Sequence, residues 1–166
     1  LAHRLEILRA DVEDVVDLFA KSHDKIALVS GPLIDDINGQ VRFAGYKAGL
    51  KKNKLPFKEG LVFEANYRYQ EGFDLAQRVI NSGATAAFVA EDELAAGLLN
   101  GLFAAGKKVP EDFEIITSND SAITQFTRPN LSSISQPVYD LGAVGMRMLT
   151  KIMNKEELDE KEIILN

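Results

Sequence analysis

"AAFVAEDELAAGLLNGLFAAG", residues 86–106, holds the transition that decides the fold. Ala86 to Ala90 form a short apolar run, the length of a buried strand. Glu91, Asp92 and Glu93 end that run and open a helix rich in small residues, with Gly106 as its stop. Acids in a first turn sit well against the positive end of the helix dipole, which is reason enough for all three.

The same alternation of short apolar runs and amphipathic ones extends both ways along the chain. Upstream lie "DVEDVVDLFAK" (11–21), a helix, "KIALVS" (25–30), a strand, and a helix from about Gln40 to Lys52. "LVFEA" (61–65) is the next strand, followed by a helix across "EGFDLAQRVINS" (71–82). Downstream come "FEIIT" (113–117), "LSSIS" (131–135), a helix over 139–155, and "KEIIL" (161–165) as a further strand. Strand–helix alternation with short links predicts an α/β fold, a Rossmann-like parallel sheet with helices on both faces. Residues 1–8 are not placed by this pattern. In such a sheet ligands meet the chain at the carboxyl ends of the strands, here Ser30-Gly31-Pro32, Ala65-Asn66-Tyr67, Glu91-Asp92-Glu93 and Ser118-Asn119-Asp120. Their acceptors and aromatic ring suit a polyhydroxyl ligand, although strand-end loops are polar in any case.

Catalytic chemistry finds little to work with. Gly31-Pro32 reads as a turn, no Gly-rich phosphate loop or G-x-S-x-G elbow exists, and His3 and His23 are the only histidines. His23, in "KSHDK", belongs to the amino-end side of the sheet, where a surface or capping role is expected. The absence of Cys excludes a thiol nucleophile, a disulfide scaffold and a zinc-thiolate site. No enzyme, cofactor or metal site is expected. With 19 basic and 25 acidic residues, the net charge of −6 argues against gripping a nucleic-acid backbone. No apolar run approaches the ~20 residues of a membrane span, and "LAHRLEIL" lacks a signal-peptide pattern, so a cytoplasmic place off the membrane is expected.

"YDLGAVGMRMLTKIMNK" (139–155) has an unusual outer face. At 3.6 residues per turn Leu141, Val144, Met148, Leu149, Ile152 and Met153 share an apolar side. Tyr139, Ala143, Arg147 and Lys151, each four residues from the last, share the other. Two cations one turn apart repel slightly, and the nearest acid, Asp140, is two turns below Arg147. Read alone, Arg147 and Lys151 also fit a solvated face.

Three stretches, "DKIALVSGPLIDDINGQVRFAGYKAGL", "TAAFVAEDELAAGLLNGLFAAGKKVPEDFEII" and "RPNLSSISQPVYDLGAVGMRMLTK", resemble in unbroken order the effector-binding core of the LacI/GalR repressors. The last of them is similar to the branch of that family that governs carbon catabolite control. The resemblance covers about residue 10 onward. It implies a periplasmic-binding-protein-like class I fold: paired Rossmann-like lobes with sugar between them. Residues 9–135 then correspond to the C-terminal lobe, 136–158 to a return helix of the N-terminal lobe, and 159–166 to the start of a further strand. The DNA-binding headpiece and most of the first lobe have no counterpart, so operator DNA would be reached only through that headpiece. A homodimer is implied as well.

The resemblance also gives the outer face a purpose. In that branch this helix docks the seryl-phosphorylated form of HPr, a sugar phosphotransferase phosphocarrier. By the matching motif, Tyr139, Asp140, Ala143, Val144, Arg147 and Lys151 are the contact positions. Effector positions transfer as Arg42 on the helix after the first strand, Tyr67 after the next, and Glu91 at the head of "DELAAG". Asn119 stands where the family presents an Asp that takes two sugar hydroxyls. An amide accepts at one atom and carries no charge, which weakens the hold on a free sugar and leaves glycolytic sugar phosphates, which would prefer Arg42 and dislike an acid, as candidate modulators. A periplasmic-type sugar carrier of the same bilobal fold is the alternative, and it gives Arg147 and Lys151 no role.

Overall fold

The computed structural model of the chain describes residues 2–157, with side chains from Ile7 onward. The elements are α1 (Ala2–Phe19), β1 (Ile26–Ser30), α2 (Ile37–Lys52), a 3-10 turn (Glu59–Leu61), β2 (Val62–Glu64) and α3 (Tyr69–Asn81). After them come β3 (Ala86–Val89), α4 (Asp92–Ala104), β4 (Glu114–Asn119), α5 (Ala122–Phe126), β5 (Ser132–Ser135) and α6 (Val138–Met153). The strand expected at 161–165 lies outside the described residues.

The strands form one five-stranded sheet in the order β2-β1-β3-β4-β5. β1 runs parallel to both β2 and β3, and β3 parallel to β4. Chain order reverses direction across the sheet at β1, so the crevice between the carboxyl ends of β1 and β3 is a topological switch point.

Every residue of β1 and β3 is buried, because helices cover both faces. Ile26, Leu28, Ala86 and Phe88 point to one side, where they pack with Val12, Val16 and Phe19 of α1 and Tyr46 and Leu50 of α2. Ala27, Val29, Ala87 and Val89 point to the other, against Leu75 and Val79 of α3 and Leu94, Leu98 and Leu102 of α4. The period of two along a strand thus splits one apolar run between two cores. Each fully buried large side chain contributes about 1.5–3 kcal/mol.

The first helix extends to Ala2, taking in residues that the sequence pattern had not placed. Its far end is tied to α2, where Lys52 pairs with Asp17 and, at 3.8 Å, with Glu13. α2 itself begins at Ile37 because Asp36 accepts a hydrogen bond from the backbone N–H of Asn38 (2.9 Å). Tyr46, wholly buried, donates its hydroxyl to the carbonyl of Ile26 (2.8 Å), fastening α2 to β1.

His23 lies at the amino ends of the strands, as expected, yet it is no surface residue: its side chain is only 13% exposed. Its Nδ1 is 2.9 Å from the Thr85 hydroxyl and its Nε2 3.4 Å from the Glu114 carboxylate. The ring joins the segments that enter β3 and β4, so its role is structural.

By contacts the chain divides into Leu1–Ile134 and Ser135–Asn166. The second unit contributes α6, an amphipathic helix with no buried residue. Among the described residues, no helix is long and apolar enough to cross a membrane.

Candidate functional site

The carboxyl ends of β1 and β2 bring together Gly31, Asp36, Arg42 and Tyr67. Tyr67 is half-buried and donates its hydroxyl to Asp36 Oδ2, while Oδ1 of the same carboxylate caps α2. Gly31 is needed for this reach, since a Cβ there would overlap the Tyr67 hydroxyl. Burial, reinforced by Asp36, pushes the Tyr67 phenol up to about 12. Arg42 is buried, with 7% of its surface exposed, and its charge is felt by both Tyr67 and Asp11. The Asp11 carboxyl is nevertheless raised, by burial first and by Asp14 second. Glu64, at the end of β2, accepts from the backbone N–H of Leu33 (2.7 Å), so the loop after β1 is fastened at two points.

The ends of β3 and β4 place the other predicted residues. Glu91 precedes α4, and its Oε2 accepts from the N–H groups of Glu93 (2.7 Å) and Leu94 (3.2 Å). Burial raises the Glu91 carboxyl above its usual range, against the lowering effect of those two donors. Glu93 accepts from the N–H of Tyr69 (3.2 Å), linking α4 to α3. Asn119 ends β4 with a φ of +103° and is followed by Asp120 at +52°. Both backbones are in the left-handed half of the map, which Asn and Asp enter more readily than other non-glycine residues.

Asp92 departs from the sequence reading. Its place in the first turn predicts a dipole-favoured helix acid like its neighbours, but its carboxylate is fully buried and bonded outside the helix. Oδ2 accepts from the N–H of Ser121 (2.6 Å), and Oδ1 from the hydroxyl of Ser133 (3.4 Å). Ser133 in turn accepts from the N–H of Asp120 (2.9 Å). A helical wheel contains the missed signal, for Asp92 shares its face with Ala95, Ala96 and Leu99, all buried.

Taken by itself, α6 presents Tyr139 (85% exposed), Asp140, Ala143 and Arg147 to solvent, with Val144 and Lys151 half-buried. Lys151 lies twelve positions after Tyr139, a stripe about 18 Å long at 1.5 Å per residue. Gly142 and Gly145 lie in open space, so the backbone beside Ala143 is accessible. Arg147 makes no ion pair among the described residues. The same helix exposes Leu141, Leu149, Ile152 and Met153 on its apolar side. No group of three or more His, Cys, Asp and Glu among the described residues could hold a metal ion.

Comparison with known proteins places this architecture. The model of the periplasmic binding protein-like domain matches residues 15–166. Catabolite control protein A of Streptococcus mutans is 78% identical over 170 residues, which take in 100% of this chain and 51% of that protein. Catabolite control protein A of Priestia megaterium is 38% identical over 95% of this chain and 48% of its own length. The crystal structure of the transcription regulator CcpA of Lactococcus lactis superposes with a TM-score of 0.88 at 42% identity, covering 96% of this chain and 59% of that one. The chain therefore spans about half the length of the curated relatives it matches. It belongs to the periplasmic binding protein-like domain family, in the form carried by transcription regulators of the LacI family.

Proposed function

We propose that this chain is the effector- and corepressor-binding core of a carbon catabolite-control regulator, and that it works by binding rather than catalysis. Its protein partner is seryl-phosphorylated HPr, received on α6 by Tyr139, Asp140, Ala143, Val144, Arg147 and Lys151. Glycolytic sugar phosphates are the small-molecule modulators, met by Arg42, Tyr67, Glu91 and Asn119. The whole regulator acts in the cytoplasm as a homodimer and reaches operator DNA through its headpiece.

The carrying observation is the outer face of α6. On a chain of net charge −6, an exposed guanidinium stands one turn from an ammonium and two turns from an exposed tyrosine. A phosphoserine carries a charge near −2 and three strong acceptor oxygens, so it fits a guanidinium fork with a second cation beside it. Tyr139 supplies a rigid apolar anchor, and Ala143 lets the partner approach the helix backbone. The Arg42 side of the cleft suits an anionic sugar, and the neutral Asn119 does not repel one.

Surface plasmon resonance tests this on the two-lobed regulator, with HPr in its seryl-phosphorylated and unphosphorylated forms. The phosphorylated form should bind at least about tenfold more tightly, with affinity falling as salt rises. Equal affinity for the two forms would refute the assignment.

A further inference from the structure

We infer that Asp92 is the positioning residue of the turn that carries Asn119, and that through Ser133 it ties that turn to β5. The inference rests on reading Asn119 as a contact of the effector cleft. Two consecutive residues at positive φ, Asn119 and Asp120, do not hold such conformations by themselves. Something must over-determine them, and the hydrogen bonds name it. Asp92 fixes Ser121, directly after the two residues, through a 2.6 Å bond to its N–H. Ser133 fixes Asp120 through a 2.9 Å bond to its N–H, and the same hydroxyl reaches Asp92 Oδ1 at 3.4 Å. Thr124 closes the turn from α5, donating its hydroxyl to the Ser121 carbonyl at 2.9 Å.

Asp92 is 0% exposed, so its carboxylate faces no competition from solvent and its bonds set the direction of the turn. Among the described residues the side chain of Asn119 has one hydrogen-bond contact, its Oδ1 3.4 Å from the hydroxyl of the adjoining Ser118. Its amide is therefore aimed by the backbone rather than by a partner of its own. A ligand that pulls on Asn119 strains the Asp120 and Ser121 bonds, and Ser133 transmits the displacement to β5.

Amide hydrogen exchange on the isotope-labelled chain tests the relay. In Asp92→Ala, Asp120 and Ser121 should exchange roughly ten- to a hundredfold faster, while Val29, Val79 and Leu98 keep their protection. Asp92→Asn, which retains an acceptor oxygen, should recover part of the difference. A uniform acceleration across all these amides, or none at all, would overturn the positioning role. Should Asp92→Ala fail to fold, Ser133→Ala decides: it should release the Asp120 amide while Ser121 stays protected, and an unchanged Asp120 refutes the relay. Calorimetry with glucose 6-phosphate on the two-lobed regulator separates the two readings. Weakening of about tenfold or more in Asp92→Ala, with Asp92→Asn intermediate and the core amides still protected, supports the inference, and unchanged affinity in Asp92→Ala overturns it. Absence of binding by the unaltered regulator would sink the effector reading, leaving exchange to judge Asp92.

Discussion

Gly97→Ala should destabilise the chain by about 2 kcal/mol or more, although alanine is the better helix former. The substitution gains roughly 1 kcal/mol of helix propensity. Against that stands the crossing of α3 and α4. A Cβ at Gly97 would overlap the Tyr69 carbonyl oxygen, lying 2.8 Å from the carbonyl carbon and 3.0 Å from the N of Phe73. These are backbone atoms and cannot swing aside, so the two helices must separate. Separation disturbs two further seats, for Gly101 lies where a Cβ would be 2.6 Å from the Ala76 Cβ, and Gly72 where one would overlap the Leu94 carbonyl. Overpacking of a rigid core costs about 1–3 kcal/mol, and this contact belongs at or above the top of that range. Urea unfolding followed by circular dichroism reads the difference as a midpoint lower by about 1 M at unchanged slope. Gly142→Ala, in open space on α6, is the control and should not destabilise. An equal or higher midpoint for Gly97→Ala would refute the tight crossing, and with it the account of how α4 presents Glu91 and Asp92.

Other outcomes follow from the same geometry. Tyr46→Phe removes the buried bond to Ile26 and should cost about 1 kcal/mol in the same assay. Tyr67 should remain protonated through pH 10 and ionise near 12, because burial and Asp36 raise it from 10.0. The stability that the neutral phenol contributes is full below pH 10 and is lost as pH rises through about 12, which ultraviolet difference titration with parallel unfolding can follow. Asn119→Asp, in the two-lobed regulator, should gain roughly 1.5–3 kcal/mol for a neutral sugar and nothing for a sugar phosphate by calorimetry.

The strands were legible because both faces of the sheet are covered, which writes β1 and β3 as unbroken apolar runs. Polar ends hid the true limit of β4, whose last residues, Ser118 and Asn119, read as loop. α2 was placed three residues late, since its start is set by the Asp36 side chain rather than by apolar spacing. α5, five residues long, is too short to show a helical period. In the site, the row Tyr139, Ala143, Arg147 and Lys151 could be read directly from a spacing of four. The Tyr67–Asp36 bond joins residues 31 apart, and the Asp92–Ser121 bond residues 29 apart, distances at which local pattern carries no signal. Asp92 also sits between two acids that serve α4 and its link to α3, so composition assigned all three one role.

Whether the face of α6 receives a phosphoserine through Arg147 is decided by Arg147→Glu in the two-lobed regulator. The substitution lies on the exposed side of a helix with no buried residue, so the circular-dichroism spectrum and melting temperature should be unchanged. The phosphate would lose a charge-assisted pair worth about 1.5–3 kcal/mol and meet a carboxylate instead. Surface plasmon resonance should then show affinity for seryl-phosphorylated HPr reduced by about a hundredfold or more, with Lys151→Ala milder. Unchanged affinity in a normally folded Arg147→Glu regulator would contradict the account and make the stripe a solvated face.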